Sequence, residues 1–247
     1  MEKSEVIFGT RAVIEAIRAG RQIEKVCVQT GLSNDLIKEL INETLKHGVP
    51  LSYVPAQKLN GLSSKNHQGA VCYLSAVQYA VLENLIDKAF GEGRDPFFLI
   101  VDQVTDVRNF GGIARSAECA GADAIILSAK GNAPITSDAM KTSAGALSHV
   151  PVCRVKDMKE TAELLCHSGI QLVACTEKSE QSIYDVSLAG PLAIIVGSEE
   201  FGISPWWLKK AHHCAHIPMK GKIDSLNVSV AAGIALFEAV RQRGVNG

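Results

Sequence analysis

The second half of this 247-residue chain alternates short apolar runs with segments of helical spacing, and that alternation limits the folds open to it. A strand that is followed by a helix and then by another strand builds a parallel sheet, because the helix crosses over one face. The pattern therefore predicts an α/β fold with a mostly parallel, doubly wound sheet. The predicted strands cover 97–104, 124–129, 152–155, 170–175 and 191–197, and the predicted helices cover 111–120, 137–147, 158–168, 204–211 and 225–242.

The first 77 residues predict a smaller α/β domain of their own. They are followed by a short predicted amphipathic helix at 78–90 and by the charged stretch GEGRDP, so residues 78–96 are interpreted as a linker to a second domain at 97–247. Asn34 or Ser33 is the expected cap of the second helix. The predicted helices of the first domain cover 10–19 and 33–46, and its strands cover 23–29, 49–54 and 70–74.

The composition limits the partners and the compartment expected for the chain. The formal net charge is -1 and the isoelectric point is about 6.7, so the basic excess of many nucleic-acid binders is missing. Seven cysteines form no C-x-x-C pair, which predicts reduced thiols in a cytoplasmic protein. Without a signal segment or an apolar run of about 18 residues, no membrane partner is expected. The histidines from His212 to His216 lack a partner cluster, so no metal is expected.

Three short blocks place glycines, amides, an arginine and a carboxylate where a strand leads through a loop into a helix. They read DVRNFGGIARSA at 106–117, IIVGSEEFGIS at 194–204 and IPMKGKIDSLNVSVAA at 217–232. Open α/β sheets bind ligands at the carboxyl ends of their strands, so the blocks predict a site for a polar organic ligand. The sequence has neither the dinucleotide-binding fingerprint nor the P-loop motif, which disfavours both of those classes.

In the first block, Asn109 and two glycines stand just ahead of the helix predicted at 111–120, and Arg115 falls in its second turn. An amide, backbone N–H groups and a guanidinium in this arrangement favour a phosphate ligand. The same residues permit a plainer interpretation, in which Asn109 caps the helix and Arg115 forms a surface ion pair.

The other two blocks offer a carboxylate and a helix start. Glu199 follows a strand end, where it could accept a hydrogen bond from a ligand hydroxyl or hold the arginine; alternatively it belongs to a solvated pair of glutamates. Ser225 is the expected N-cap of the last helix, and Asn227 then lies at its positive end. The residues expected on the apolar, core-facing side of this helix are Leu226, Val230, Ile234 and Phe237.

Taken together, the three blocks resemble the SpoU (TrmH) branch of the SPOUT RNA methyltransferases in the order and spacing of their motifs. The motifs are N-F-G-x-I-x-R-S-A, I-V-G-x-E-x-x-G-I-S and I-P-M-x-G-x-x-x-S-L-N-V-S-V-A. The front domain, with IFGTRAVIEAI and NHQGAV, resembles the L30e-like RNA substrate-binding domain found in RlmB-like enzymes that modify guanosine in 23S rRNA. Its polar loop Ser63–Gly69 carries groups suited to RNA phosphate or ribose contacts, although such loops are commonly just solvated.

The resemblance implies 2'-O-methylation of an RNA ribose, most simply of a 23S rRNA guanosine, with S-adenosylmethionine as methyl donor. It also implies a homodimer and a deep trefoil knot in the second domain, a feature that chains by default lack. The donor would contact the chain around Leu127, Gly197, Ile217 and Leu226. The family's polar residues correspond here to Asn109, Arg115, Glu199, Ser225 and Asn227.

A mechanism follows as a hypothesis from these residues. Arginine stays protonated at cellular pH, so Arg115 is expected to clamp a target phosphate and polarise the attacking hydroxyl, with the phosphate or Glu199 helping the proton to leave. Asn109, Ser225 and Asn227 would orient the nucleotide and the loops.

The chain departs from the family pattern at Val107, where proline is common, and at Glu200, where glycine is common. Glu200 adds a negative charge near the expected RNA path. The alternatives left open are 2'-O-methylation of tRNA or of another rRNA nucleotide, a non-catalytic RNA-binding ribosome-assembly factor, and a base methyltransferase of the wider superfamily.

Overall fold

The computed structural model describes residues 6–61 and 67–244, which fall into two compact units. The first unit ends at Gln78 and also takes in Pro134–Ser137, and the rest of the chain forms the second unit. Residues 63–66 of the polar front loop lie outside the described residues.

The first unit contains a four-stranded sheet with the order β1-β4-β2-β3. β2 pairs in parallel with β3, whereas β4 runs antiparallel to both β1 and β2. Asn34 caps α2 by accepting from the N–H of Ile37 at 2.9 Å, which decides between the two expected caps. The elements are β1 Val6–Phe8, α1 Thr10–Arg18, β2 Ile23–Gln29, α2 Asp35–His47, β3 Leu51–Val54, α3 Ala56–Asn60 and β4 Ala70–Leu74.

The second unit contains a six-stranded sheet with the order β10-β8-β9-β5-β6-β7, and every neighbouring pair in it is parallel. The predicted α/β fold with a parallel sheet is therefore confirmed. The elements are α4 Leu82–Gly91, β5 Phe97–Asp102, α5 Val107–Cys119, β6 Ala124–Ser128, α6 Ser137–Thr142, β7 Val152–Val155, α7 Met158–His167, β8 Gln171–Cys175, β9 Leu192–Gly197, α8 Pro205–Lys210, β10 His213–Ala215 and α9 Val228–Arg243.

The centre of this sheet is its most apolar part. All six residues of β5 and all six of β9 are buried, as expected for parallel strands covered on both faces. The segment 78–96, interpreted above as a linker, contains α4, whose Leu82 and Ile86 lie in the same buried cluster as Phe98 of β5.

Two helices begin at different residues from those predicted, and in both cases the reason is a side-chain cap. α5 begins at Val107 rather than 111, because Asp106 accepts from the backbone N–H of Asn109 at 2.8 Å. α9 begins at Val228 rather than 225, because Asn227, not Ser225, is its N-cap. The expectation that Asn109 and the two glycines precede the helix was wrong, since all three lie inside it.

The apolar face predicted for the last helix was also wrong. Val230 and Phe237 are each 49% exposed, and Leu226 precedes the helix. α9 instead packs on the core through a neighbouring face made mainly of small residues. The buried residues of α9 are Val228, Ala232, Ala235, Leu236, Glu238 and Ala239.

The helix predicted at 137–147 is shorter than expected. α6 ends at Thr142, because Ala144 and Gly145 both have positive φ angles, of 50° and 86°. A separate 3-10 turn follows at Ala146–Ser148. Within residues 6–61 and 67–244, no helix has the length and apolar character needed to cross a membrane.

Candidate active site

Side chains from all three sequence blocks meet at the carboxyl ends of the central strands. Asn109 of α5, Glu199 after β9 and Asn227 before α9 form a closed triangle of hydrogen bonds. Asn109 Nδ2 donates to Glu199 Oε2 at 2.9 Å. Asn227 Nδ2 donates to Glu199 Oε1 at 2.5 Å and to Asn109 Oδ1 at 2.9 Å. These residues, separated by up to 118 positions, therefore act as one polar unit.

Close packing of two helices brings the triangle together. A Cβ added to Gly112 of α5 would lie 3.0 Å from the Cβ of Ser229 in α9, and one added to Gly111 would lie 2.2 Å from Oγ1 of Thr142. The glycines of the first block thus allow close contact with α9 and α6 rather than supplying a flexible loop. Asn109 stands one turn from this contact and so reaches the start of α9.

The helix cap fixes the direction of the hydrogen bonds in the triangle. Asn227 Oδ1 accepts from the backbone N–H groups of Ser229 and Val230, at 3.0 and 3.4 Å. Its Nδ2 must therefore face Glu199 and Asn109 as a donor. Glu199 receives a third hydrogen bond from the N–H of Val228 at 3.3 Å, so its two oxygens meet donors only.

Replacing Glu199 by glutamine should break the triangle although the shape of the side chain is kept. The glutamine N–H₂ group would have to face either Asn109 Nδ2 or Asn227 Nδ2, and the cap prevents Asn227 from turning round. We expect catalytic turnover to fall about 10-fold or more, because two orienting amides lose their acceptor. The free energy of unfolding, measured by thermal denaturation, should change by no more than about 1 kcal/mol, since Glu199 and Asn227 are exposed. Unchanged turnover in steady-state assays would contradict this account.

Gly197 and the turn that follows it set the position of Glu199. The N–H of Ser198 donates to the carbonyl of Gly202 at 3.1 Å, and the N–H of Gly202 donates to the carbonyl of Ser198 at 2.9 Å. The turn folds back so closely that a Cβ on Gly197 would lie 2.3 Å from backbone atoms of Gly202 and Ile203. Gly202 itself has a φ of 70°, which favours glycine.

Asp102 anchors the other end of this turn, and it was not among the predicted site residues. The carboxylate is 7% exposed and accepts from both the backbone N–H and the hydroxyl of Ser204, at 2.8 and 2.6 Å. Ser204 is the N-cap residue of α8, but its hydroxyl donates to Asp102 and does not cap that helix. The sequence signal was available, because an acidic residue ending the apolar strand FFLIVD needs a partner.

A cleft of about 560 Å³, here called the β9 cleft, opens beside Glu199 at the ends of β8 and β9. Five of the predicted site residues line it, namely Gly197, Glu199, Ser225, Leu226 and Asn227. Ile217 lines a smaller neighbouring cavity of about 70 Å³, whose wall also includes Leu226. Leu127 lines neither of these two, because it is buried in β6 with 3% exposure.

The β9 cleft is acidic and has apolar walls. Its charged lining residues are Glu177, Glu199, Glu200 and Asp224 against Lys178, which gives four carboxylates and one ammonium group. The apolar lining includes Val196, Ile203 and Leu226. Burial raises the pKa of the Cys175 thiol to about 11, so it adds a neutral group to the wall. The lining suits a ligand with a flat apolar part and a positive charge.

A second cavity of about 330 Å³, here called the Asn109 cavity, lies on the other side of Glu199. Asp106 and Asn109 line it from α5, and Gln103 and Thr105 line it from the loop after β5. The segment from Ser198 to Phe201 lines both cavities and thus forms the wall between them. The polar triangle therefore lies where two separate ligands could meet.

Arg115 lies apart from the triangle. It is exposed on α5 and makes no hydrogen bond or ion pair with any other residue in the described part of the chain. The surface ion pair considered above is therefore not formed. Its guanidinium is available for a ligand that the chain does not itself supply.

A parallel sheet with a polar, two-part site at the carboxyl ends of its strands is typical of α/β proteins that bind polar ligands there. The chain belongs to the SpoU rRNA Methylase family, whose model matches residues 96–237. The family model for RNA 2'-O ribose methyltransferase substrate binding matches residues 6–80. The expected membership of the SpoU branch is confirmed.

Full-length relatives agree with this membership. The chain is 33% identical over 245 residues to the 23S rRNA (guanosine-2'-O-)-methyltransferase RlmB of Vibrio cholerae, covering 98% of this chain and 99% of that one. It is 32% identical over 242 residues to YacO of Bacillus subtilis, a protein named for the TrmH family of tRNA/rRNA methyltransferases, covering 98% and 97%. A crystal structure of an RNA 2'-O ribose methyltransferase matches with a TM-score of 0.56 and 27% identity, over 96% of this chain and 88% of that one.

Proposed function

We propose that this protein is an S-adenosylmethionine-dependent RNA 2'-O-ribose methyltransferase whose target is a guanosine of 23S rRNA. The observation that carries the proposal is the triangle of Asn109, Glu199 and Asn227, which stands between the β9 cleft and the Asn109 cavity. Methyl transfer to a ribose needs a donor site and a nucleotide site that meet at polar groups. Membership of the SpoU family supports the same reaction.

The β9 cleft fits the methyl donor in size and charge. S-adenosylmethionine carries a sulfonium and an ammonium against one carboxylate, and the cleft presents four carboxylates against one ammonium. Its volume of about 560 Å³ lies within the range of ligand pockets, roughly 300–1,000 Å³. Gly197, Ser225 and Leu226 would contact the donor there, with Ile217 beside them. The bound donor supplies the electrophilic methyl group.

The residues around the triangle would then prepare the ribose hydroxyl. A carboxylate offers about four lone-pair sites, and Glu199 uses three of them on N–H donors of this chain. One site remains to accept from the hydroxyl and orient it. Arg115, which has no partner of its own among the described residues, would bind the neighbouring phosphate and draw the nucleotide into line. Positioning of this kind supplies much of the rate in bimolecular transfers.

The choice of rRNA over tRNA is supported by the front unit. RlmB of Vibrio cholerae is named for 23S rRNA and matches over 99% of its own length. A tRNA target is the second candidate, because this chain is also similar to the crystal structure of the A. aeolicus TrmH/SpoU tRNA modifying enzyme. The two are 29% identical, with a TM-score of 0.55. That likeness covers only 66% of this chain, against 84% of the tRNA modifying enzyme.

The roles of the two units and the assembly belong to the same proposal. The front unit would bind RNA and the second unit would hold the donor, within a cytoplasmic homodimer. Val230 and Phe237, half exposed on α9 at a spacing of seven residues, support a partner chain on that face. The trefoil knot expected in the second unit stays a prediction.

Methyl transfer from labelled S-adenosylmethionine tests the proposal directly. Purified protein is incubated with transcribed 23S rRNA or with total tRNA, and the nucleosides are separated by mass spectrometry. We expect 2'-O-methylguanosine in the 23S sample. Label in tRNA alone would favour the second candidate, and donor binding without any transfer would favour a non-catalytic RNA-binding factor.

A further inference from the structure

Phe201 is a large apolar side chain at the rim of the site that the proposed mechanism leaves unused. It is 70% exposed, and it lines both the β9 cleft and the Asn109 cavity. An exposed aromatic ring between two ligand-sized cavities can contact whatever enters them.

The turn from Ser198 to Gly202 holds the backbone of Phe201 in place. Ser198 Oγ accepts from the N–H of Phe201 at 3.0 Å, and the two ends of the turn exchange backbone hydrogen bonds. Gly197 packs directly beneath the turn. A contact made by a residue whose backbone is already ordered loses little conformational freedom when a ligand binds.

The charges around the Asn109 cavity decide which part of a nucleotide it suits. Asp106, Glu199 and Glu200 line it, and neither lysine nor arginine is among the described residues that line it. Three carboxylates would repel a phosphate, whereas a neutral base carries N–H groups that carboxylates can accept from. Unpaired RNA bases are commonly held by stacking on aromatic side chains.

Resting on the proposed function, we infer that Phe201 is the stacking platform for the base of the target nucleotide, which occupies the Asn109 cavity. The ribose then lies at Glu199, between the base and the donor. Phe201 thus contacts the substrate on the side of Glu199 away from the methyl group. Because every base has an aromatic face, the ring holds the nucleotide without selecting its identity.

Three variants of Phe201 separate stacking from general burial. Phe201→Ala should raise the KM for transcribed 23S rRNA about 5-fold or more, because loss of one base-stacking contact weakens binding by about that factor or more. Phe201→Tyr keeps the ring and should stay within about 2-fold of the wild type, whereas Phe201→Leu keeps the apolar bulk and should behave like alanine. The control is Tyr184→Ala, which removes an aromatic residue that is 51% exposed on a 3-10 turn and lines neither cavity.

Two further readouts make the result decisive. The affinity for S-adenosylmethionine, measured by calorimetry, should change less than the KM for RNA in Phe201→Ala. An unchanged KM for RNA, restoration by leucine, or an equal loss of donor affinity would each overturn the inference. Wild-type turnover on the same RNA tests the proposed function separately. If it is absent, equilibrium RNA binding by the same variants still decides the role of Phe201.

Discussion

Replacing Arg115 by alanine should lower turnover about 100-fold or more while leaving the fold intact. The guanidinium is exposed, has no partner among the described residues and lies on the helix that carries Asn109. Its loss removes the cation that would contact the nucleotide's phosphate, and charged contacts of this kind commonly contribute two to three orders of magnitude. The free energy of unfolding should stay within about 0.5 kcal/mol of the wild type, because Arg115 is exposed and makes no hydrogen bond or ion pair with the described residues. Steady-state kinetics and thermal unfolding measure the two effects.

Arg115→Lys and Arg108→Ala are the matched controls. Lysine keeps the charge but not the planar fork, so Arg115→Lys should still lose about 10-fold. Arg108 is exposed on α5 seven residues earlier, on the same side of the helix, and its removal should lower turnover by less than about 10-fold. Nearly full activity in Arg115→Lys would contradict the phosphate clamp. Equal losses of turnover in Arg115→Ala and Arg108→Ala would mean that Arg115 contributes only a positive charge and no specific contact.

Gly197→Ala should abolish most donor binding. The new Cβ would lie 2.3 Å from backbone atoms of Gly202 and Ile203, and backbone at both sites cannot move aside as a flexible side chain would. The turn that carries Glu199 must shift, and the β9 cleft shifts with it. We expect affinity for S-adenosylmethionine to fall about 100-fold. Thermal unfolding should show a loss of about 1–3 kcal/mol, the usual cost of overpacking.

Gly91→Ala is the control for this substitution. Gly91 ends α4, and a Cβ there would meet nothing within 4 Å. The variant should bind the donor as the wild type does and unfold at the same temperature or slightly higher. If Gly197→Ala bound the donor normally, the contact between Gly197 and the turn would have no functional role.

Much of the second unit follows from periodicity alone. β7 has the predicted bounds, and β5 and β9 are continuous apolar runs that only a parallel sheet covered on both faces accommodates. β1 and β10 are different, because each has three residues and is stabilised by a distant partner strand. Local sequence carries little signal for such strands. Their pairing is decided by tertiary contacts.

The site was predictable in its members but not in its geometry. Three block residues, Asn109, Glu199 and Asn227, do meet. Asp224, Ser225 and Asn227 are all suitable caps by residue type, and the choice of Asn227 depends on its second contact with Glu199. That contact joins separate blocks, so no local rule could find it.

The central claim is that this protein methylates a ribose of 23S rRNA at the site around Asn109, Glu199 and Asn227. The most direct test is mass spectrometry of ribose-methylated nucleosides in rRNA from cells that lack the gene, restored with the wild type or with Arg115→Ala. We predict that 2'-O-methylguanosine is lost from large-subunit rRNA and returns only with the wild-type protein. An unchanged nucleoside profile in the deleted strain would contradict the account.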